Sequence, residues 1–512
     1  MNNQTKQSTA SLFGVNKTAR IGAIWAAVTL ALAVVLIVLN MLLELLPYHV
    51  SHPDLTGAKT FRLSSESKKW LGTLDEDVTV YLVASGGESA AQGDLLGFLQ
   101  QYTQQSKHIK VEVVNSGTSG AWLTQSFGVD MNTLSDMSVI VASAERYRVI
   151  DNASLSYYVF KYSADGYSYT EIKMSAAEMA SIRELALEED PTGATYTSMF
   201  TSGMITAYFD GDSRITNAIN FVTQNNVAKV YWVESSGSAS ARIDSAFRDL
   251  LEQGCYGITN LLNLQTVPAD CDLLVINNPT VDIGADEAAS LAAYLANGGK
   301  LYLATSYSAG KLPNLAGVLA TYGLGFEESM KPIGDNHSAN KISSGLFFAD
   351  VASQHAATGD FDGSFVVSAA HAISVTEAEN VTVTPWLTTS DQGYLIDIEN
   401  QSAVPAEKAE YTVGVIAESG KTQILWVGTP ACFTGRGNTY SDNGNFTLAL
   451  SAFNSMTGIA NDGLIISGAA IDNSILTCSV GTFAVWALIM VVLIPVGVTV
   501  LGTVIWYSRK KR

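Results

Sequence analysis

The stretch that most constrains the fold is Cys271 to Thr305, CDLLVINNPTVDIGADEAASLAAYLANGGKLYLAT. It reads as one strand–helix–strand unit. Asp272 to Ile276 is an apolar run ended by Asn277-Asn278-Pro279, the pattern of a strand buried on both faces. Asp286 and Glu287 sit in the first turn of the next helix, where carboxylates favour the positive end of its dipole. Ala289, Leu291, Ala292 and Leu295 give that helix an apolar stripe. Asn297-Gly298-Gly299 stops it, and Lys300 to Ala304 is the following strand. Parallel strands joined this way build an α/β sheet with a right-handed crossover. Such sheets bind or react at the carboxyl ends of their strands. Those ends here are Asn277-Asn278-Pro279 and Thr305-Ser306-Tyr307.

The chain has 512 residues and a net charge of −19, which argues against nucleic acid, whose phosphates demand a basic face. No Asp or Glu precedes Glu44 and none follows Asp472. Lys6, Lys17 and Arg20 lie before this region, and Arg509, Lys510, Lys511 and Arg512 after it. The acidic middle suits a solvated exterior body.

Two apolar segments flank it. Ile21 to Leu43 and Val480 to Tyr507 are each long enough for the roughly 20 residues that span a bilayer. No Lys or Arg lies between Gly437 and Tyr507. The positive charge outside the spans puts both termini in the cytoplasm. The expected organisation is a cytoplasmic start over 1–20, a transmembrane helix over 21–46, a second one over 480–507 and a basic cytoplasmic tail over 508–512. Between them lies an extracytoplasmic α/β body.

Two units are expected in that body, a first over 54–210 and a second over 211–460. In the first, Ser64 or Ser65 caps a helix, Val78 to Val83 is a strand, Asp94 to Gln105 a helix and Ile109 to Val114 a strand. Ser138 to Ala142 and Arg146 to Ile150 make a hairpin. The order β-α-β-(α)-β-β is thioredoxin-like in outline, without the dithiol of thioredoxins. Tyr157 to Tyr162 and Tyr167 to Ile172 read as strands, and Ala176 to Glu188 as an acidic helix. Ser213 to Thr223 reads as a helix leading into the second unit. That unit continues with a strand over Lys229 to Val233, a helix over Ser238 to Gln253 and further parallel strands, a Rossmann- or amidotransferase-like scaffold. An insertion is expected over about 325–408, before strands at Tyr411 to Ala417 and Thr422 to Val427 and a last helix over Phe446 to Met456.

Reactive groups are scarce. An amidotransferase-like enzyme needs a nucleophile at a tight strand-to-helix turn, flanked by glycines. Ser306 and Ser308 stand there, but the first glycine is absent. Gly414 to Thr422 resembles a phosphate-binding loop with one residue too many between its glycines, and fits a hairpin turn better. His337, His355 and His371 fall at spacings unlike a zinc site and read as surface residues; His49 and His52 belong to the membrane-proximal linker. Asp210-Gly211-Asp212 and Asp360-Phe361-Asp362-Gly363 lack the ligand series of a calcium loop and read as turns. Cys255, Cys271, Cys432 and Cys478 form no C-x-x-C pair. For Cys255 and Cys271 a disulfide and two small buried residues are both open. No catalytic, cofactor or metal residue is assigned.

Several segments together resemble the GldG-type auxiliary proteins of ABC transporters. They are DLTGAKTFRLSSESKKWL after the first span, SRITNAINFVT, the strand–helix–strand unit itself, and LPNLAGVLATYGLGF. Asp54-Leu55-Thr56, Leu63-Ser64, Pro279-Thr280 and Gly298-Gly299 match that family's pattern. The likeness covers roughly 50 to 325 and the paired anchors. It implies a non-enzymatic accessory subunit beside an ABC-2-type permease and its cytoplasmic ATPase, in an export or surface-assembly system, with no catalytic residues to carry over. Two other readings are a surface glycan- or peptide-binding module, suggested by Tyr157, Tyr158, Tyr162, Tyr167 and Tyr169, and a degenerate amidotransferase-like hydrolase.

Overall fold

The computed structural model describes residues 60–471 apart from 92, 163–169, 235–241, 310–311, 328–330, 352–354, 360, 362, 398–406, 459–462 and 465, with scattered single residues nearer each end. The Ser64 hydroxyl accepts from Ser67 N at 3.1 Å and so starts α1 (Ser65–Leu71). Then come β1 (Val78–Ala84), α2 (Glu88–Ala91), α3 (Asp94–Gln105), β2 (Ile109–Asn115), α4 (Ser116–Phe127), β3 (Ser138–Ala142) and β4 (Tyr147–Ile150). These strands lie in the order β2-β1-β3-β4, with β1 and β2 parallel and the other pairs antiparallel. Side chains alternate across the sheet. Val78, Val80 and Leu82 meet Phe98, Leu99 and Tyr102 of α3 on one face, while Val83 and Ile140 meet Leu123 of α4 on the other.

A separate antiparallel sheet follows, from β5 (Ser156–Tyr162), β6 (Thr170–Ser175) and β7 (Ile205–Phe209). Ser175 and Glu178 form a reciprocal capping box on α5 (Ala176–Glu189), and α6 (Ala194–Thr201) packs beside it. The sequence reading marks neither α6 nor β7, both short and without a long apolar repeat. Residues Ala469–Ala470 add to the edge of β7, returning the far end of the chain to this sheet.

The helix α7 (Gly211–Thr223) departs from expectation. It does not lead the second unit. Its Ile215, Ala218, Ile219 and Val222 are buried in the core of the first sheet. Residues Gly211 to Val222 are all buried, so polar side chains are enclosed along with the apolar ones.

The largest sheet has ten strands among the described residues. In chain order this region runs β8 (Lys229–Val233), α8 (Ser245–Gln253), β9 (Gly257–Leu261), β10 (Leu273–Asn277), α9 (Ala285–Ala296), β11 (Lys300–Ala304) and α10 (Pro313–Ala320), then the short β12 (Leu324–Phe326), β13 (Ile333–Asp335) and β14 (Lys341–Ser343). After them come β15 (Leu346–Val351), β16 (Phe365–Ser368), β17 (Ile373–Val375), β18 (Thr382–Thr388), β19 (Gly393–Leu395), β20 (Thr412–Ser419), β21 (Thr422–Val427), α11 (Gly435–Tyr440) and α12 (Gly444–Thr457). The strands β9-β8-β10-β11-β21 run parallel; β20, β18, β15 and β14 extend the sheet in antiparallel pairs. The strands β12, β13, β17 and β19 pair outside it. Within residues 325–408, where an insertion with short strands is expected, β15 and β18 are hydrogen-bonded members of the main sheet.

The central parallel strands are buried on both faces, as their apolar runs require. Trp232, Leu273, Val275, Tyr302 and Leu425 pack under α8 and α12. Leu274, Ile276, Leu301, Leu303 and Trp426 pack under α9 and α10. Glu287 of α9 accepts from Gly284 N at 2.8 Å and from Leu264 N at 3.0 Å, tying the helix start to the neighbouring loop. Gly298 ends α9 at φ +91°, and a Cβ at Gly299 would lie 2.5 Å from the Tyr294 ring. Of the helix expected from Ser238, residues 238–241 lie outside the described residues; α8 starts at Ser245, where the Asp244 carboxylate accepts from Ala246 N at 2.9 Å.

Among the described residues no helix is long and apolar enough to cross a membrane. Most of 21–46 and 480–507, where the spans are expected, lies outside the described residues. The few residues described there, Val34, Ile37 and Val500 among them, are helical and exposed.

Candidate functional site

The strand tips bring two sequence candidates together. Ser306 Oγ donates to Asn278 Oδ1 at 2.7 Å and lies 2.7 Å from Ser308 Oγ. Asn278 holds a left-handed backbone at φ 46°, a conformation Asn tolerates better than most residues. Among the described residues no imidazole or carboxylate touches Ser306, and an amide oxygen is too weak a base to activate its hydroxyl.

The imidazole is one residue away. His371 is fully buried, not on the surface as its irregular surroundings suggested. Its Nε2 is 2.7 Å from Thr305 Oγ1 and its Nδ1 is 2.8 Å from Ala372 O. A carbonyl only accepts, so Nδ1 carries the proton and Nε2 accepts from the Thr305 hydroxyl. Trp426 Nε1 donates to Thr305 Oγ1 at 2.7 Å. Burial pushes the His371 pKa down to about 4, keeping the ring neutral. A hydroxyl held by a neutral imidazole is the core of an activated nucleophile. Here Thr305 and His371 are both sealed, with Phe326 and Trp426 packed at the ring. This arrangement satisfies buried polar groups and offers no route to substrate.

The remaining candidates disperse. Gly414 to Thr422 spans the β20–β21 hairpin, with Gly420 at φ +61° in its turn. His337 is exposed and His355 Nε2 lies 3.4 Å from Glu418; His49 and His52 are outside the described residues. Among those described, no three His, Cys, Asp or Glu could hold a metal ion. Asp360 and Asp362 also lie outside. Cys255 and Cys271 are not joined in a disulfide and belong to different cores. Burial pushes the Cys271 thiol up to about 11, so it is unreactive at neutral pH. Tyr157 stacks on Tyr208 at 5.0 Å beneath the Lys173 ammonium, and Tyr158 packs against Phe200. These two are packed rather than displayed as a binding face; the side chains of Tyr162, Tyr167 and Tyr169 lie outside the described residues.

The densest polar cluster was missed by the sequence reading. Asp210 and Asp212 are no simple turn. Asp210 Oδ2 accepts from Arg214 Nε at 3.0 Å, and Arg214 Nη1 donates to Asp249 of α8 at 2.8 Å. Burial works against the Arg214 charge, but Asp249 and Asp210 outweigh it and hold the guanidinium protonated. Asp212 accepts from Ser64 N at 2.8 Å, Ser67 Oγ at 2.6 Å and Thr216 Oγ1 at 3.2 Å. Asn217 Nδ2 donates to Leu464 O at 3.0 Å and its Oδ1 accepts from Leu464 N at 2.7 Å. Thr60 Oγ1 donates to Ala470 O at 2.9 Å. Thus α7 grips both ends of the body. The available signal was the density of polar residues in SRITNAIN, too many for an ordinary core helix.

Residues 57–145 match a family described as a domain of unknown function, DUF7088. No curated protein matches the chain. Similar solved structures include the mmIFT52 N-terminal domain, at 13% identity over 45% of this chain and 97% of that one, TM-score 0.35. A putative ThuA-like protein from Parabacteroides merdae is 10% identical over 48% and 97%, TM-score 0.30. The cytoplasmic protein STM1381 from Salmonella typhimurium is 12% identical over 46% and 99%, TM-score 0.29.

Proposed function

We propose that this chain is a doubly anchored, non-enzymatic accessory subunit of an ABC-2-type export or surface-assembly system. Spans at 21–46 and 480–507 dock on permease helices, beside the cytoplasmic ATPase. A thioredoxin-like first unit and a Rossmann- or amidotransferase-like second unit stand outside the membrane and gate or position the transported material. The observation that carries this reading is the bond from Thr60 to Ala470. It holds Thr60 and Ala470, one near each end of the described body, at one point, the arrangement that supports two neighbouring spans in one bilayer. The sealed Thr305–His371 pair supports a role without catalysis. Purification of the full chain from its native membrane in mild detergent tests the proposal. A permease and an ATPase are expected to co-purify, and recovery of neither overturns it.

A further inference from the structure

We infer that the groove between β15 and the β18–β20 loop binds a small polar ligand bearing an ammonium group and hydroxyls, of the amino-sugar class. The open groove offers about 340 Å³, within the range of small-molecule sites. Asp350, Asp391 and Glu410 line it together with His337, Asn340 and Thr388. Among the described residues that line it there is no Lys, Arg, Phe, Tyr or Trp. The nearby Lys341 and Lys408 point their ammonium groups at Asn336 Oδ1 and Gln392 Oε1, at 3.0 and 2.8 Å, and leave the carboxylates without a counter-charge. Among the described residues, Asp350 and Asp391 accept from amide donors alone, Asn340 and Gln392.

A second observation points to a ligand. Thr388 is only 5% exposed, and its hydroxyl has no hydrogen-bond partner among the described residues. Thr388 lines the groove directly across the strand pair from Asp350. The wall is also preorganised. The fully buried Asp335 accepts from Ser390 N at 2.7 Å, Ser390 Oγ at 2.8 Å and His337 N at 2.8 Å, fixing both loops that frame the groove. Carboxylates select a cation, and the spacing that would hold a metal is absent among the described residues. Without an aromatic platform, recognition falls to charge and hydroxyl pairing rather than ring stacking.

Titration calorimetry of the full chain in detergent micelles with glucosamine, glucose and calcium chloride tests this. Glucosamine is expected to bind saturably, with Kd on the order of 1 mM, and glucose at least about tenfold more weakly. Glu410→Gln, at an exposed position, and Thr388→Val, nearly isosteric, are each expected to weaken glucosamine binding about threefold or more while leaving the melting temperature unchanged. Equal binding of both sugars, no saturable binding of glucosamine, or calcium binding that Glu410→Gln abolishes would each overturn the assignment.

Discussion

Two polar interior regions of this molecule solve the same problem differently. At the tip of β11, Thr305, His371 and Trp426 are neutral and satisfy one another within one local layer. Along α7, Asp212, Arg214 and Asn217 carry charges or bidentate amides whose partners come from α1, α8 and the Leu464 segment. The first cluster completes a core and could be exchanged for apolar groups of similar shape at small cost. The second ties together pieces of chain far apart in sequence. A buried charge is expensive to leave unpaired, so α7 fixes where both ends of the body lie.

The sharpest way to break that contrast is to unpair α7. Arg214→Met leaves Asp210 buried without its cation and is expected to destabilise the protein by about 3–5 kcal/mol, read by denaturant unfolding. A loss near zero would make the cluster dispensable. At the strand tip the expected effect is tied to pH. The native His371 pKa of about 4 lies below the free value near 6.5. The unfolded chain then binds the proton first, so this stability is complete above pH 6.5 and is lost as pH falls toward 4, by about 3 kcal/mol. His371→Gln should remove that part of the pH slope; an unchanged slope would mean that His371 is not held neutral. Asn217→Ala should cost about 2 kcal/mol and raise amide exchange in 463–471 while sparing α9. The smallest change is Ser306→Ala, about 1 kcal/mol, since its partners Asn278 and Ser308 reach other groups or solvent.

The same contrast marks what was legible beforehand. The β10–α9–β11 unit follows from local rules: apolar runs for doubly buried strands, Glu287 at the helix start, Gly298 at its end. Nothing local states which sheet α7 covers, because its polar residues blur the stripe that would declare a buried face. His371 looked like a surface residue because its partners, Thr305 and Trp426, come from other strands. The groove was equally hidden, assembled from residues between His337 and Glu410 that only strand pairing brings together. Tertiary pairing carries this information, and periodicity does not.

The doubly anchored arrangement depends most directly on the meeting of Thr60 and Ala470. In a background with the native cysteines replaced by serine, the full chain carrying Thr60→Cys and Ala470→Cys can be treated in its membrane with a short thiol-reactive cross-linker. Cutting once in a loop between the two positions then separates a joined chain from two fragments on a denaturing gel. The two halves are expected to stay linked, and a control pair, Thr60→Cys with Glu410→Cys, to fall apart. Free fragments from the Thr60–Ala470 pair would contradict the convergence and the doubly anchored arrangement proposed from it.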